Sequence, residues 1–233
     1  MKGVYLITGA SSGIGLAVAK QLSEEGATVY GLARRVERLP ERVVPAECNL
    51  RNERDLRRVF AGFAEQKLQF DGVVNSAGVA YSSRILDGDI EEWREMWEVN
   101  VQALALCCQL AVPLMAPSGM ILNLSSLSGH RVTPSGGYYA PTKFAVRAIT
   151  ESLRLELRGS GSSIRVGSVS PGFVDTPILE TYFRRTPERR ESVKKEGMML
   201  SPEVVAQTIV ATLEQPETVE VGDVVLRSVF QGS

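Results

Sequence analysis

Short apolar runs alternate along the chain with longer stretches in which apolar residues recur every three or four positions. The runs at 3–7, 27–32, 43–47, 70–74, 119–124 and 163–168 read as buried strands, with a seventh at 219–226. Between them, 16–22, 52–65, 90–115, 138–158 and 202–213 carry helical periodicity. Gly26 stops the first helix. Pro141 fits a helix only in its first turn, so the helix that contains it is expected to start close to Tyr138. Strands and helices alternate with no linker and no repeat. This predicts a single α/β domain over 1–233, a three-layer doubly wound fold with a seven-stranded parallel sheet and helices on both faces. Ligands of such sheets bind outside the carboxyl ends of the strands. The pattern breaks at 177–200, where Ile178, Leu179, Tyr182, Phe183, Met198 and Met199 mix with many arginines. That stretch reads as a mobile substrate flap, apolar inside and charged outside.

Charge narrows the function. Among 233 residues, 26 basic and 27 acidic side chains leave a net charge of −1, with no footprint for nucleic acid or an anionic membrane. No apolar run is expected to span a membrane, and no leader is expected before the first strand, so a cytoplasmic location is expected. Cys48, Cys107 and Cys108 are too few for a disulfide scaffold and read as reduced, buried side chains. His130 is the single histidine, which argues against a zinc site and for no metal at all. The 90–115 helix is apolar on more than one side. With the 138–158 helix it points to a homodimer or homotetramer.

Candidate chemistry lies at the strand ends. Thr8, Gly9, Ser11, Ser12, Gly13, Ile14 and Gly15 link the first strand to the first helix. Gly-x-x-x-Gly-x-Gly at this junction can cradle a pyrophosphate on free N–H groups; the plainer reading is an ordinary turn. After the second strand, where an NAD site usually places an acid, the chain has Ala33, Arg34 and Arg35. Arginine suits a 2′-phosphate, hence a preference for NADP(H) over NAD(H), unless both are simply solvated charges. Small residues at Asn75-Ser76-Ala77-Gly78 let a ribose approach the backbone. Tyr139 and Lys143 stand one helical turn apart on one face. A nearby ammonium lowers a phenol pKa, which makes Tyr139 a candidate acid/base. On an exposed helix the same spacing is only surface, and convergence of the strand-end motifs is what raises it above that.

These motifs, in this order, resemble the short-chain dehydrogenase/reductase family over essentially the whole chain. The residues that carry the resemblance are Thr8-Gly9-x-x-x-Gly13-Ile14-Gly15, Asn75-Ser76-Ala77-Gly78, Asn100, Ser126, Tyr139-x-x-x-Lys143 and Pro171-Gly172. Ser128-Gly129-His130-Arg131 and Val221-Gly222-Asp223 are similar to the NADP-dependent animal member-eleven branch. Ala33-Arg34-Arg35 and Leu226-Arg227-Ser228-Val229 are also similar to microbial hydroxy-acid and alcohol dehydrogenases. The resemblance implies a Rossmann fold and hydride transfer between NADP(H) and a small carbonyl or secondary-alcohol substrate. It implies that Tyr139 moves the proton and Ser126 holds the substrate oxygen. Lys143 would lower the Tyr139 pKa and bond the nicotinamide ribose, and Asn100 would support a water leading to Lys143. Val174 and Thr176, beyond Pro171 and Gly172, would hold the carboxamide. Asn49 stands where the family usually has an aspartate for the adenine amino group, and its side-chain oxygen can still accept; Leu50 follows it. The family spacing selects Ser126 over Ser125, and Lys143 selects Tyr139 over Tyr138.

Two other function classes compete. A serine hydrolase using Ser126 would want a Gly-x-Ser-x-Gly elbow, which is absent, and an acid partner for His130, which the sequence does not reveal. A non-catalytic NADP(H) sensor would keep the fold but has no need of Ser126, Tyr139 and Lys143 together.

Overall fold

The computed structural model describes residues 2–133 and 136–232. Seven parallel strands form one sheet in the order β3-β2-β1-β4-β5-β6-β7. They are β1 (Val4–Thr8), β2 (Thr28–Ala33), β3 (Val43–Glu47), β4 (Phe70–Asn75), β5 (Met115–Leu124), β6 (Arg165–Pro171) and β7 (Asp223–Leu226). Strand order reverses between β1 and β4, which pair from Tyr5↔Gly72 to Thr8↔Asn75. Helices cover both faces. On one, α1 (Gly13–Glu24) packs against α8 (Pro202–Leu213), burying Val18, Leu22, Val205 and Ile209 against Ile7, Val29 and Leu122. On the other lie α2 (Glu53–Glu65), α4 (Leu104–Ala111) and α5 (Tyr139–Gly159). There Phe60, Phe63, Phe70 and Tyr30 meet edge to face, at centroid separations of 5.4 to 6.0 Å. This is the expected three-layer Rossmann arrangement.

Several boundaries differ from the sequence pattern. The expected long helix is three pieces: α3 (Ile90–Trp97), a π-helical turn (Glu98–Ala103) and α4. Pro113 then tightens the chain into a single 3₁₀ turn, and β5 starts at Met115, which pairs with Phe70, rather than at 119. The run Ile90–Leu114, 25 residues, is long and apolar enough to cross a membrane by length and composition, which corrects the expectation that no run reaches that length. Its apolarity has a local cause: Met96, Val101, Leu104, Cys107 and Ala111 are buried within the fold. The 177–200 stretch is also more regular than its sequence suggests. It forms α6 (Ile178–Tyr182) and α7 (Pro187–Lys195), and Leu200 then bridges to Val174.

Candidate active site

A cleft of about 720 Å³ opens above the carboxyl ends of the strands. At its floor, α5 begins at Tyr139, with Tyr138 at its cap and Pro141 in its first turn, as the proline rule requires. Tyr139 and Lys143 therefore face the cleft together, and Tyr139 hydrogen-bonds Ser126. Ser126 ends the β5 loop; its Oγ accepts from the Ser128 N–H at 3.1 Å and lies 3.5 Å from the Pro171 carbonyl, to which it donates. The Lys143 ammonium is buried and donates to the Leu124 carbonyl at 2.7 Å. It sits 5.7 Å from the centroid of the Tyr139 ring.

The electrostatics of this pair correct one expectation. Spacing alone predicts a phenol held below its ordinary range by its lysine. Instead, burial drives the Tyr139 phenol above that range; the Ser126 hydrogen bond pulls it down, and Tyr182 pushes it further up. Burial drives the Lys143 ammonium the other way, from 10.5 to about 8. Tyr139 thus holds its proton at neutral pH and presents it beside the Ser126 hydroxyl.

The rest of the cleft follows the strand-end motifs. Gly9, Ser11, Ser12, Gly13 and Ile14 line one end, with Arg34, Arg35, Asn49 and Leu50 beyond them. Gly9 has φ +69°, and a Cβ there would stand 2.8 Å from the Ala77 Cα, so only glycine lets these two turns meet. Asn52, Asp89 and Ser201 cap α2, α3 and α8 with side-chain oxygens, but Ser12 gives α1 no such cap, and α1 has no acid in its first turn. Its first N–H groups are left for an anion from outside the helix. An uncapped helix start, a glycine cradle and two arginines at the β2 end fit a phosphate-bearing dinucleotide. Ala77, Gly78, Pro171, Gly172, Val174 and Thr176 complete the wall.

Three candidate residues lie off the wall. Gly15 packs against the Gly9 carbonyl behind the turn. Asn75 turns away beneath the floor, donating to Asn123 Oδ1 at 2.9 Å, while Asn123 donates to Thr150 Oγ1 at 2.9 Å. Its Nδ2 therefore ties β4 to β5 and, through Asn123, to α5, while its buried Oδ1 has no hydrogen-bond partner among the described residues. Asn100 is fully buried in the π-helical turn and brackets the Val79 backbone, accepting from its N–H and donating to its carbonyl, both at 2.8 Å. It also donates to Thr142 Oγ1 at 3.2 Å, one residue before Lys143. The Asn49 oxygen accepts locally from the Arg51 N–H at 3.2 Å and keeps a second lone pair.

Two further features were not legible in the sequence. The polar tail after β7 folds back over the cleft: Gln231 Oε1 accepts from the Phe173 N–H at 3.0 Å, and Ser228 Oγ donates to the Gly197 carbonyl at 2.7 Å. The flap is clamped to α3, where the buried Glu92 carboxylate binds both Arg184 and Arg185. His130 does have an acid partner, Asp223, at 2.9 Å, which overturns that premise against a hydrolase. Ser126, however, is engaged by Ser128, Pro171 and Tyr139 rather than by His130, so the three do not form a nucleophilic relay.

Comparison with known proteins agrees. The sequence profile of the family described as short chain dehydrogenase matches residues 3–187. The dehydrogenase/reductase SDR family member 11 of Bos taurus is 36% identical over 244 residues, covering 97% of this chain and 96% of its own. An alcohol dehydrogenase from the archaeon Thermococcus sibiricus, solved with 5-hydroxy-NADP, superposes with a TM-score of 0.87 at 28% identity, covering 100% of this chain and 99% of its own. The closed form of a serine dehydrogenase complexed with NADP+ shares the fold, with a TM-score of 0.90 at 24% identity over 99% of this chain and 96% of its own. With the profile spanning most of the chain and the bovine relative nearly all of it, the protein belongs to the short-chain dehydrogenase/reductase family of oxidoreductases.

Proposed function

We propose that the protein is an NADP(H)-dependent oxidoreductase that interconverts a small carbonyl compound and its secondary alcohol, with Tyr139 as the general acid/base. The observation that carries this reading is the Tyr139 phenol, hydrogen-bonded to Ser126 and one turn from a buried lysine, in a cleft that the glycine turn, Arg34 and Arg35 also line. The nicotinamide supplies or accepts the hydride. Ser126 and Tyr139 both donate to the substrate oxygen, and Tyr139 passes its proton to that oxygen as charge develops on it. The Lys143 ammonium opposes the negative charge left on the phenolate. Asn100 fixes the Val79 backbone and Thr142, and through them the position of Lys143 and of a water leading to it. Gly9, Ser11, Ser12, Gly13 and Ile14 receive the pyrophosphate with Gly15 packed behind them, Arg34 and Arg35 the 2′-phosphate, Asn49 and Leu50 the adenine, and Val174 and Thr176 the carboxamide. The 5-hydroxy-NADP bound by the Thermococcus enzyme supports the cofactor class. A cytoplasmic location agrees with three free, buried cysteines. A homodimer or homotetramer agrees with the outward-facing Phe144 and Leu155 on α5.

Tyr139→Phe tests the chemistry. NADPH consumption with a panel of ketones and aldehydes is expected to fall at least about 100-fold while NADPH still binds; turnover near the wild-type rate would remove Tyr139 from its role. Tight NADPH binding by the wild type with no turnover of any carbonyl would favour the sensor reading. Arg34→Ala tests the cofactor, with an expected loss of about 10- to 100-fold in NADPH affinity, read by fluorescence titration, and little change for NADH. Equal loss for both would defeat the 2′-phosphate assignment.

A further inference from the structure

The flap carries four arginines, and three of them are paired with acids. Arg184 and Arg185 bind the buried Glu92 carboxylate. Arg190 lies 3.6 Å from Asp175 and also reaches Glu180 and Glu191. Arg189 alone has no acidic partner among the described residues, and Arg189, unlike Arg184, Arg185 and Arg190, lines the cleft. Its placement follows from helical geometry. Val193 lies one turn further along α7 on the same face and is buried in the apolar cluster with Leu179, Tyr182 and Phe183, against which Tyr139 packs. A second arginine lines the same cleft. Arg131 follows the Ser126 loop, lines the same cleft, has no acidic partner among the described residues, and donates only to the Gly232 carbonyl at 3.4 Å. The same cleft has an apolar wall that includes Phe173, Leu179, Tyr182 and Met198. An arginine that lines an apolar cleft and has no carboxylate of its own can bind an anion there through its guanidinium.

We propose that the substrate carries a carboxylate, separated from its reacting carbonyl by a short apolar linker, and that Arg189, assisted by Arg131, binds that carboxylate. This rests on the oxidoreductase reading above and names its substrate class. The oxygen held by Ser126 and Tyr139 and the anion held by Arg189 then fix both ends of the molecule, and the apolar wall accommodates what lies between.

The test compares 3-oxobutanoate, 4-oxopentanoate and 5-oxohexanoate with their methyl esters, using NADPH and the full chain. At least one acid is expected to show kcat/KM at least about 10-fold above its ester. Arg189→Ala should erase that preference by raising KM for the acid about 10- to 100-fold, with the ester unchanged, and Arg189→Lys should restore part of it. A second measurement does not depend on turnover: calorimetric titration of the same acids into the protein with NADP+ present, in wild type and Arg189→Ala. Acid binding that Arg189→Ala abolishes supports the carboxylate site even if no carbonyl is reduced, in which case the oxidoreductase reading falls and only the anion site at Arg189 stands. Esters turned over as well as acids, or acid binding unchanged by Arg189→Ala, overturns the carboxylate site and leaves the oxidoreductase reading intact.

Discussion

At Lys143 the cost of the site follows from its burial. The ammonium is buried in the folded chain with its pKa lowered to about 8, and in the unfolded chain it titrates near 10.4. Below about pH 8 both states are protonated, and the folded state bears the full desolvation penalty. Between about pH 8 and 10 the unfolded state binds the extra proton, so the penalty is relieved and stability from this group rises. Tyr139 acts in the opposite sense only above about pH 10, where the unfolded phenol ionises and the buried one does not. Lys143→Met is therefore expected to melt higher than the unliganded wild type below pH 8, with the gap closing toward pH 10. A gap independent of pH, measured by calorimetric melting, would show that burial is not what shifts this lysine. Tyr139 and Lys143 were legible from their one-turn spacing at the start of α5, and Ser126 from its place after β5 and the family spacing to Tyr139. The direction of the Tyr139 shift was not, because it depends on how much water the fold removes, which no spacing records. Asn75 and Gln231 escaped for related reasons. The first side chain turns under the sheet, and the second comes from a polar tail with no periodicity.

Among the elements, the flap is the one whose behaviour its sequence least describes. Its many charges read as a solvated, irregular stretch, yet two of its arginines converge on Glu92, whose carboxylate is buried on α3. Arg184 also lies over the Tyr81 ring, 5.0 Å from its centroid, and Tyr81 donates to Glu95 at 2.7 Å. The pairs cross between segments about ninety positions apart, beyond the reach of local pattern. Glu92→Gln removes the charge that both guanidiniums share. Each guanidinium stays about half in water, so the expected loss is about 1–2 kcal/mol and not the larger value of a fully buried pair. That loss should fall on α6 and α7 alone, seen as faster hydrogen exchange there, while the sheet keeps its protection. Uniform loss of protection throughout the chain would show that Glu92 supports the core and does not hold the flap. The helix from Ile90 shows the same limit. Its apolar period was correct, but the π turn that seats Asn100 arises from contacts with Val79 and Thr142 and leaves no mark on the period.

For the whole molecule, strand alternation was enough to give the fold class, because parallel sheets buried on both faces read as continuous apolar runs. It was also enough to place the cleft, since strand order must reverse somewhere and the motifs fall where it does. The reversal has a mechanical consequence. β1, β2 and β3 come from the first 47 residues and the other four strands from Phe70 onward, so the backbone passes from one half of the sheet to the other only once. Lys67 stands in that passage, exposed and with φ 54°, in the turn after α2. A chain severed there should complement in trans. Fragments 1–67 and 68–233, refolded together, are expected to co-elute, joined by the β1–β4 ladder and by α1 against α8. The seam between them runs through the cleft, with the Gly9 turn on one fragment and Ser126 and Tyr139 on the other. A dinucleotide would then behave as an adhesive, so NADPH should lower the concentration at which the halves assemble.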